Sequence, residues 1–415
     1  MSVSQEVIAQ PIAYLDLFSG IGGHALALDG LAIPVAFCEI EKYPTSVLKL
    51  RFPDVPVLPD VRTLSADVIP GSPRLLTASF PCQDISVAGS GKGLEGERSG
   101  LVWQVFRVLD QLPSVETVFM ENSPALRKYG LERIIEALES RGFSATWGNL
   151  AASHLGARHR RMRIWILATK TPDSLGELTD DVLCASAERA LRYPFKRCEK
   201  DISRLVPRSV CKDEASTDSG EYKSDRSVCI KRWNGLGNAI VPPVARLAFA
   251  TLMSARRDGA TGELGVLVSA VPSRWSLSDE FSSRVTDLAN YPVMHFPGEE
   301  HKKSTVNMWV TPVHNSGHFS PTKWGPQRNR TVFATRVFHA RDTSDAFGYE
   351  HGDHISARKN FMLNIEWVET LMGFPRMWTD RNQSHPEILD KIYAPDNNDD
   401  IDNITDHLSA LELRG

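Results

Sequence analysis

Over residues 13–170, short apolar runs alternate with helical patterns, and that alternation leaves few folds open. The runs at 13–18, 34–40, 75–80, 117–120 and 163–169 have the length and composition of buried strands. Between them "HALALDGLA", "YPTSVLKLRF", "LVWQVFRVLDQL" and "LERIIEALESRG" repeat apolar residues at helical spacing. Strand and helix in strict turn predict an α/β fold: a mainly parallel, Rossmann-like sheet with helices on both faces. Such sheets bind ligands at the carboxyl ends of their strands, near the point where strand order reverses. Chemistry is therefore expected at those ends.

The first strand end reads "YLDLFSGIGGHALAL", residues 14–28: strand, glycine turn, helix. Glycines 20, 22 and 23 allow the backbone close to a ligand, and the helix start offers free amides. The spacing is not the G-x-G-x-x-G of a dinucleotide site. Glu39 closes the second strand, nineteen residues after Gly20, where an acid commonly grips ribose hydroxyls. Asp60 ends a third candidate strand, "VPVLPDV", within reach of an adenine amino group. Each acid alone reads equally as a solvated loop residue. As a topological series they favour an adenosine-containing cofactor.

The fourth strand end is "SFPCQDIS", where Pro81 and Cys82 precede a loop with five glycines between 83 and 100. A buried structural thiol is the ordinary fate of a lone cysteine. A proline before it and a glycine-rich loop after it speak against that reading. Glu121 follows the fifth strand in "VFMENSPAL", which puts it on the same rim as Cys82. A thiolate beside a carboxyl proton donor suits conjugate addition to a ring that is protonated as it is attacked. In "GARHRRMRIWILA", His159, Arg161 and Arg163 fall at spacing two and would share one face of a strand. They read as a solvated basic edge, or as donors to a pyrimidine carbonyl and a phosphate.

On these residues the chain resembles the DNA (cytosine-5) methyltransferase family. "DLFSGIGG" is similar to that family's cofactor motif, "FPCQDIS" to its catalytic motif, and "ENS" to its Glu-Asn-Val motif. "HRRMR" is similar to its Gln-x-Arg-x-Arg motif and "GLGNAIVPPVA" to its Gly-Asn helix motif. Ser123 stands where the family usually has valine, and His159 where glutamine is usual. The resemblance implies a class I S-adenosylmethionine-dependent methyltransferase fold with a second, smaller DNA-recognition domain. It also implies S-adenosyl-L-methionine as cofactor and double-stranded DNA as partner. Phe18 would pack on the adenine, Glu39 hold the ribose, and Asp60 and Val61 flank the base. Asp16, Ser19, Gly20 and Gly22 would cradle the methionine part, with Pro81 and Asn238 completing the site. Cys82, Glu121, Arg161 and Arg163 would carry the chemistry on a cytosine flipped from the duplex. The loop at 86–100 would close over that base, bringing Lys92 and Arg98 to phosphates, with His159 also facing the DNA.

The motif order departs from the family. "GLGNAIVPPVA" lies at 235–245, while "LNIEWVETLMGFPRMWTD", similar to the motif that usually precedes it, lies at 363–380. This permutation places the recognition domain late. The expected division is a catalytic domain at 1–170, a polar insertion at 171–230, a returning helix at 231–255, a recognition domain at 256–385 and an acidic tail at 386–415. Within the fourth part, "PTKWGPQRNRTVFATRVFHAR" (321–341) has five basic and no acidic residues, interleaved with Trp324, Phe333 and Phe338. Lys323, Gln327, Arg328 and Arg330 are its candidate DNA contacts. The "LNIEWVETLMGFP" helix is expected to brace this domain from behind.

Composition bears on what remains. The 415 residues carry a formal net charge of -4, which argues against a basic coating protein but not against an enzyme with one basic face. Cysteines 184, 198, 211 and 229 lack the short paired intervals of zinc modules, so no metal is expected. Six cysteines without a C-x-x-C pair, no signal-peptide pattern and no membrane-length apolar run suggest a cytoplasmic monomer. The absence of a long region before the first motif suggests a bacterial or phage-type enzyme. The rivals are an RNA cytosine-5 methyltransferase, folate-dependent pyrimidine chemistry and a non-catalytic DNA-binding module. The adenosine-site series speaks against the second rival, and intact Cys82, Glu121 and Arg163 against the third.

Overall fold

The structure, a computed structural model, describes residues 12–81, 99–157, 159–193, 205–207, 226–278, 282, 361–363 and 365–381. Strands β1 (Ile12–Leu17), β2 (Ala32–Cys38), β3 (Val57–Leu58), β4 (Leu75–Ala78), β5 (Thr117–Asn122), β6 (Ser144–Leu150), β7 (Arg163–Thr169) and β9 (Gly262–Val266) form one sheet. Its order is β3-β2-β1-β4-β5-β7-β6-β9. Neighbours from β3 through β5 are parallel; β7 runs antiparallel to both β5 and β6. This is a doubly wound sheet, as the resemblance implied, with strand order reversing between β1 and β4. A separate antiparallel pair joins β8 (Leu205–Pro207) to β10 (Phe361–Leu363).

Strand β1 shows why the sheet is central. Ile12 and Tyr14 enter one core cluster while Leu15 and Leu17 enter the other, so both faces are buried. The second cluster is closed by α3 (Val102–Leu109) and α5 (Leu131–Glu139). In α5, Leu131, Ile134, Ile135 and Leu138 recur at helical spacing and are all buried, each contributing roughly 1.5–3 kcal/mol. The first cluster is closed by α1 (Gly23–Ala27), α6 (Asp180–Leu191) and α8 (Pro242–Arg257). Helix α8 starts on two prolines, which need no amide partner in a first turn, and is buried almost all round. It follows α7 (Arg226–Asn238). Residues 230–257 contain an 18-residue window apolar enough, by composition alone, to cross a membrane, but 94% of that window is buried inside the protein. They form a core helix pair.

Three expected boundaries move. Residues 171–193 are not insertion: Thr179 caps α6, and Leu183, Ala187, Ala190 and Leu191 pack in the core with α8. The buried Arg246 of α8 donates to Ser186 Oγ at 3.2 Å and to the Asp29 carbonyl at 2.5 Å, tying α6 and the turn after α1 to α8. Residues 256–278 stay with the catalytic body, since β9 extends the sheet beside β6 and Trp275 is buried in the core. Helix α9 (Ile365–Leu371) and the turn after it also pack there, through Val368, Leu371, Phe374 and Trp378. The "LMGFP" segment therefore supports the catalytic sheet rather than a separate domain. What remains of the expected recognition domain falls mostly at 283–360, outside the described residues, as does the tail from 382.

Candidate active site

The ends of β1 and β2 build a small polar turn. Residue Phe18 leaves β1 at φ 58, a left-handed conformation that is costly for a bulky side chain and clusters at functional turns. Ser19 Oγ donates to the Asp16 carbonyl at 2.8 Å and accepts from the Cys38 amide at 3.2 Å. The Gly20 amide (φ 55) donates to Glu39 Oε2 at 2.8 Å, and the Glu41 amide donates to Glu39 Oε1 at 2.7 Å. Glu39 is thus aimed by two amides. Burial raises its pKa, and the same amides oppose the rise. Gly22 (φ 88) opens α1, which has five residues, so the helix offers less than the sequence suggested.

Beneath the turn, Asp16 is fully buried. Its Oδ1 accepts from Thr77 Oγ1 at 2.6 Å and lies 2.9 Å from His24 Nδ1, while Oδ2 has no hydrogen-bond partner among the described residues. At Gly20 an added Cβ would meet no atom of the described residues within 4 Å, whereas one at Gly23 would collide with Ile240 Cγ1 at 2.5 Å. An orphaned buried carboxylate oxygen, an oriented Glu39 and open space at Gly20 fit a ligand with an ammonium and vicinal hydroxyls. Ile40, 61% exposed beside Glu39, adds an apolar surface that sequence reasoning missed. Asp60 differs from expectation: Arg62 holds its carboxylate at 2.8 Å and keeps its pKa low. Val61 is buried, with its carbonyl on Arg107 at 2.6 Å. Asn238 is exposed at the end of α7, and Pro81 is half-buried at the end of the described β4 segment.

The second constellation stands on β5 and β7. Glu121 lies opposite Trp165 in the ladder, so Arg163, two residues earlier, is its diagonal neighbour on the same face. Arg163 Nε pairs with Glu121 Oε1 at 2.7 Å, and Glu121 is 7% exposed. Asn122 Nδ2 donates to the Phe80 carbonyl at 3.0 Å, tying the exits of β4 and β5 together just before Pro81 and Cys82. Its role was hidden in "ENS", as that of Thr77 was in "LLTA", although a polar residue inside a buried strand is a readable signal. Cys82, Lys92, Arg98, Lys323, Gln327, Arg328 and Arg330 lie outside the described residues.

His159 and Arg161 do not share a strand face with Arg163. The strand begins at Arg163, and Arg161 sits at φ 33, which breaks the alternation. Arg161 is 3% exposed and donates to the Gly237 carbonyl at 3.0 Å and to the Ala239 carbonyl, so it braces the Gly-Asn turn. His159 is fully buried, with Nε2 2.8 Å from the Leu371 carbonyl. It faces the C-terminal segment, not a nucleic acid. Burial lowers its pKa to about 3.

Known proteins resemble this chain in sequence. The family model for C-5 cytosine-specific DNA methylases matches residues 12–225. The Type II methyltransferase M.CviJI of Paramecium bursaria Chlorella virus IL3A is 36% identical over 157 residues, 38% of this chain and 42% of that protein. The Type II methyltransferase M.DsaV of Dactylococcopsis salina is 33% identical over 162 residues, 38% of this chain and 45% of that protein. Among solved structures, a DNMT2 mutant of Spodoptera frugiperda is 27% identical with a TM-score of 0.34, over 38% of this chain and 50% of that one. The matched part spans less than half the length of the two Type II relatives. The family match nonetheless runs from the first residue of β1 past the end of β8, through both constellations, and on that extent the chain belongs to the C-5 cytosine-specific DNA methylase family.

Proposed function

We propose that this chain is a DNA cytosine-5 methyltransferase that acts on a cytosine flipped from duplex DNA, with Cys82 as nucleophile. The observation that carries the reading is the Glu121–Arg163 pair on the rim where β4 and β5 exit together. Asp16, Phe18, Ser19, Gly20, Gly22, Glu39 and Ile40 would hold S-adenosylmethionine, which supplies an electrophilic methyl group when bound. Asp16 would receive the ammonium and Glu39 the ribose hydroxyls.

The Cys82 thiolate adds to C6 of the ring, forming a C–S bond and pushing electron density onto C5. Glu121 hydrogen-bonds or protonates N3, which neutralises charge as it develops there. Arg163 fixes the Glu121 carboxyl and presents its remaining donors to the ring carbonyl. Once C5 is methylated, a base removes the C5 proton, the C–S bond breaks and the thiolate is restored. Specificity must come from contacts to neighbouring base pairs, because a flipped base looks the same in any context. Lys323, Gln327, Arg328 and Arg330 are the proposed readers.

Trapping tests this directly. Duplex DNA carrying 5-fluorocytosine cannot lose a C5 proton, so with cofactor it should form an adduct that survives a denaturing gel. The wild-type chain is expected to show that adduct and Cys82→Ala none. Equal behaviour of the two proteins refutes the nucleophile. An adduct with 5-fluorocytosine-bearing transfer RNA, and none with duplex DNA, transfers the activity to RNA.

A further inference from the structure

The turn at 19–22 is shaped by a residue 357 positions away in sequence. Trp378, 4% exposed, donates its indole Nε1–H to the Ile21 carbonyl at 2.7 Å. The other end of the same peptide unit, the Gly22 amide, donates to the Ser19 carbonyl at 3.0 Å. A peptide unit is a rigid plane, so pinning its oxygen and its N–H together sets its rotation. Rotation of that plane sets the φ of Gly22, which lies at 88° in the left-handed region. The indole also lies against Gly22, where an added Cβ would sit 3.6 Å from Trp378 Cζ2. Gly20, by contrast, has no atom of the described residues within 4 Å of an added Cβ.

Trp378 is itself held firmly. It meets Phe52 edge-on at 5.9 Å, and the Arg51 guanidinium stands 5.4 Å from its ring centroid. Arg51 also donates to the carbonyls of Met377, Trp378 and Asp380, at 2.5, 2.9 and 2.9 Å. Tyr43 Oη donates to the Thr379 carbonyl at 2.6 Å. Helix α2 (Lys42–Arg51) therefore carries the Trp378 segment to the turn and fastens it there.

We infer that Trp378 is a positioning residue for the cofactor turn, and that its indole N–H sets the affinity of the site for the S-adenosyl group. The inference rests on reading that turn as the cofactor cradle. Loss of one hydrogen bond to a buried carbonyl should weaken binding about tenfold.

The test uses the full chain and S-adenosylhomocysteine, titrated by calorimetry. Trp378→Phe keeps an aromatic ring and removes the donor; its Kd should rise about tenfold. The cofactor KM should rise with it, while kcat at saturating cofactor stays unchanged. Tyr43→Phe removes a bond to the same segment but not to the turn. It should lower the melting temperature and leave the Kd within about twofold. In tryptophan-labelled wild-type protein the Trp378 indole proton should shift as S-adenosylhomocysteine is added, a readout that survives should Trp378→Phe not fold. An unchanged Kd in Trp378→Phe, equal weakening in Tyr43→Phe, or an unmoved indole proton overturns the inference. If wild-type protein binds no S-adenosylhomocysteine at all, the cofactor reading of the turn fails first and the inference falls with it.

Discussion

Exchange of His159 for glutamine should change how stability responds to acid. Burial pushes the His159 pKa from 6.5 down to about 3; its hydrogen bond to Leu371 opposes the shift, while Arg161 and Arg163 add to it. The folded ring therefore stays neutral across mildly acid pH, while in the unfolded chain it takes up a proton. The unfolded state binds more protons in that window, so stability is complete above about pH 6.5 and falls as pH drops toward 3. Between pH 7 and pH 5 one such group removes about 2 kcal/mol. The figure holds for any folded-state value near or below 4, since the folded ring then gains almost no proton above pH 5. Glutamine keeps an N–H for the Leu371 carbonyl and does not titrate. Urea unfolding of both proteins at pH 7 and pH 5 should show the stability difference moving about 2 kcal/mol in favour of His159→Gln at the lower pH. Other groups, including His154 with its pKa lowered to about 4 by burial, cancel in the subtraction. An unchanged difference would mean that the ring is protonated or solvated in the folded protein, and the account of the 159–163 corner would be wrong.

Two further outcomes follow from the site and its support. Glu121→Gln keeps an oxygen for Arg163 but loses the carboxyl, so single-turnover methyl transfer should slow about a hundredfold or more, roughly 2.7 kcal/mol, with S-adenosylhomocysteine affinity intact; a near-normal rate across neutral pH rules out its role. Gly23→Ala would place a methyl 2.5 Å from Ile240 Cγ1. It should cost about 1–3 kcal/mol in urea unfolding through overpacking, and an unshifted midpoint would show that α1 and the Ile240 turn pack more loosely than described.

The sheet was largely legible because its strands are buried on both faces. β1 and β7 lie within a residue of the apolar runs that announced them, and Glu121 and Arg163 meet as a period-2 argument allows. β6 was missed because "SATWGNL" dilutes its apolar residues with Ser, Gly and Asn; backbone pairing to β7 and β9 holds it instead. α6 was read as polar because it packs through Ala and Ser, small residues that permit close helix contact but carry little hydrophobic signal. The left-handed backbone at Arg161 was invisible, since the carbonyls of Gly237 and Ala239 that hold it come from a distant segment. Trp378 was quoted within a motif, but no local pattern says that its partner is Ile21.

Both flanks of the stretch between 283 and 360 are fastened to one body, by Trp275 and β9 on one side and by α9 and Trp378 on the other. A chain tethered so at two points gains or loses length between them at small entropic cost, about 0.6 kcal/mol for each doubling. The stretch can therefore be inherited as a cassette. A lineage could lengthen, shorten or replace it while the sheet, the turn and the Glu121–Arg163 pair pass down unaltered.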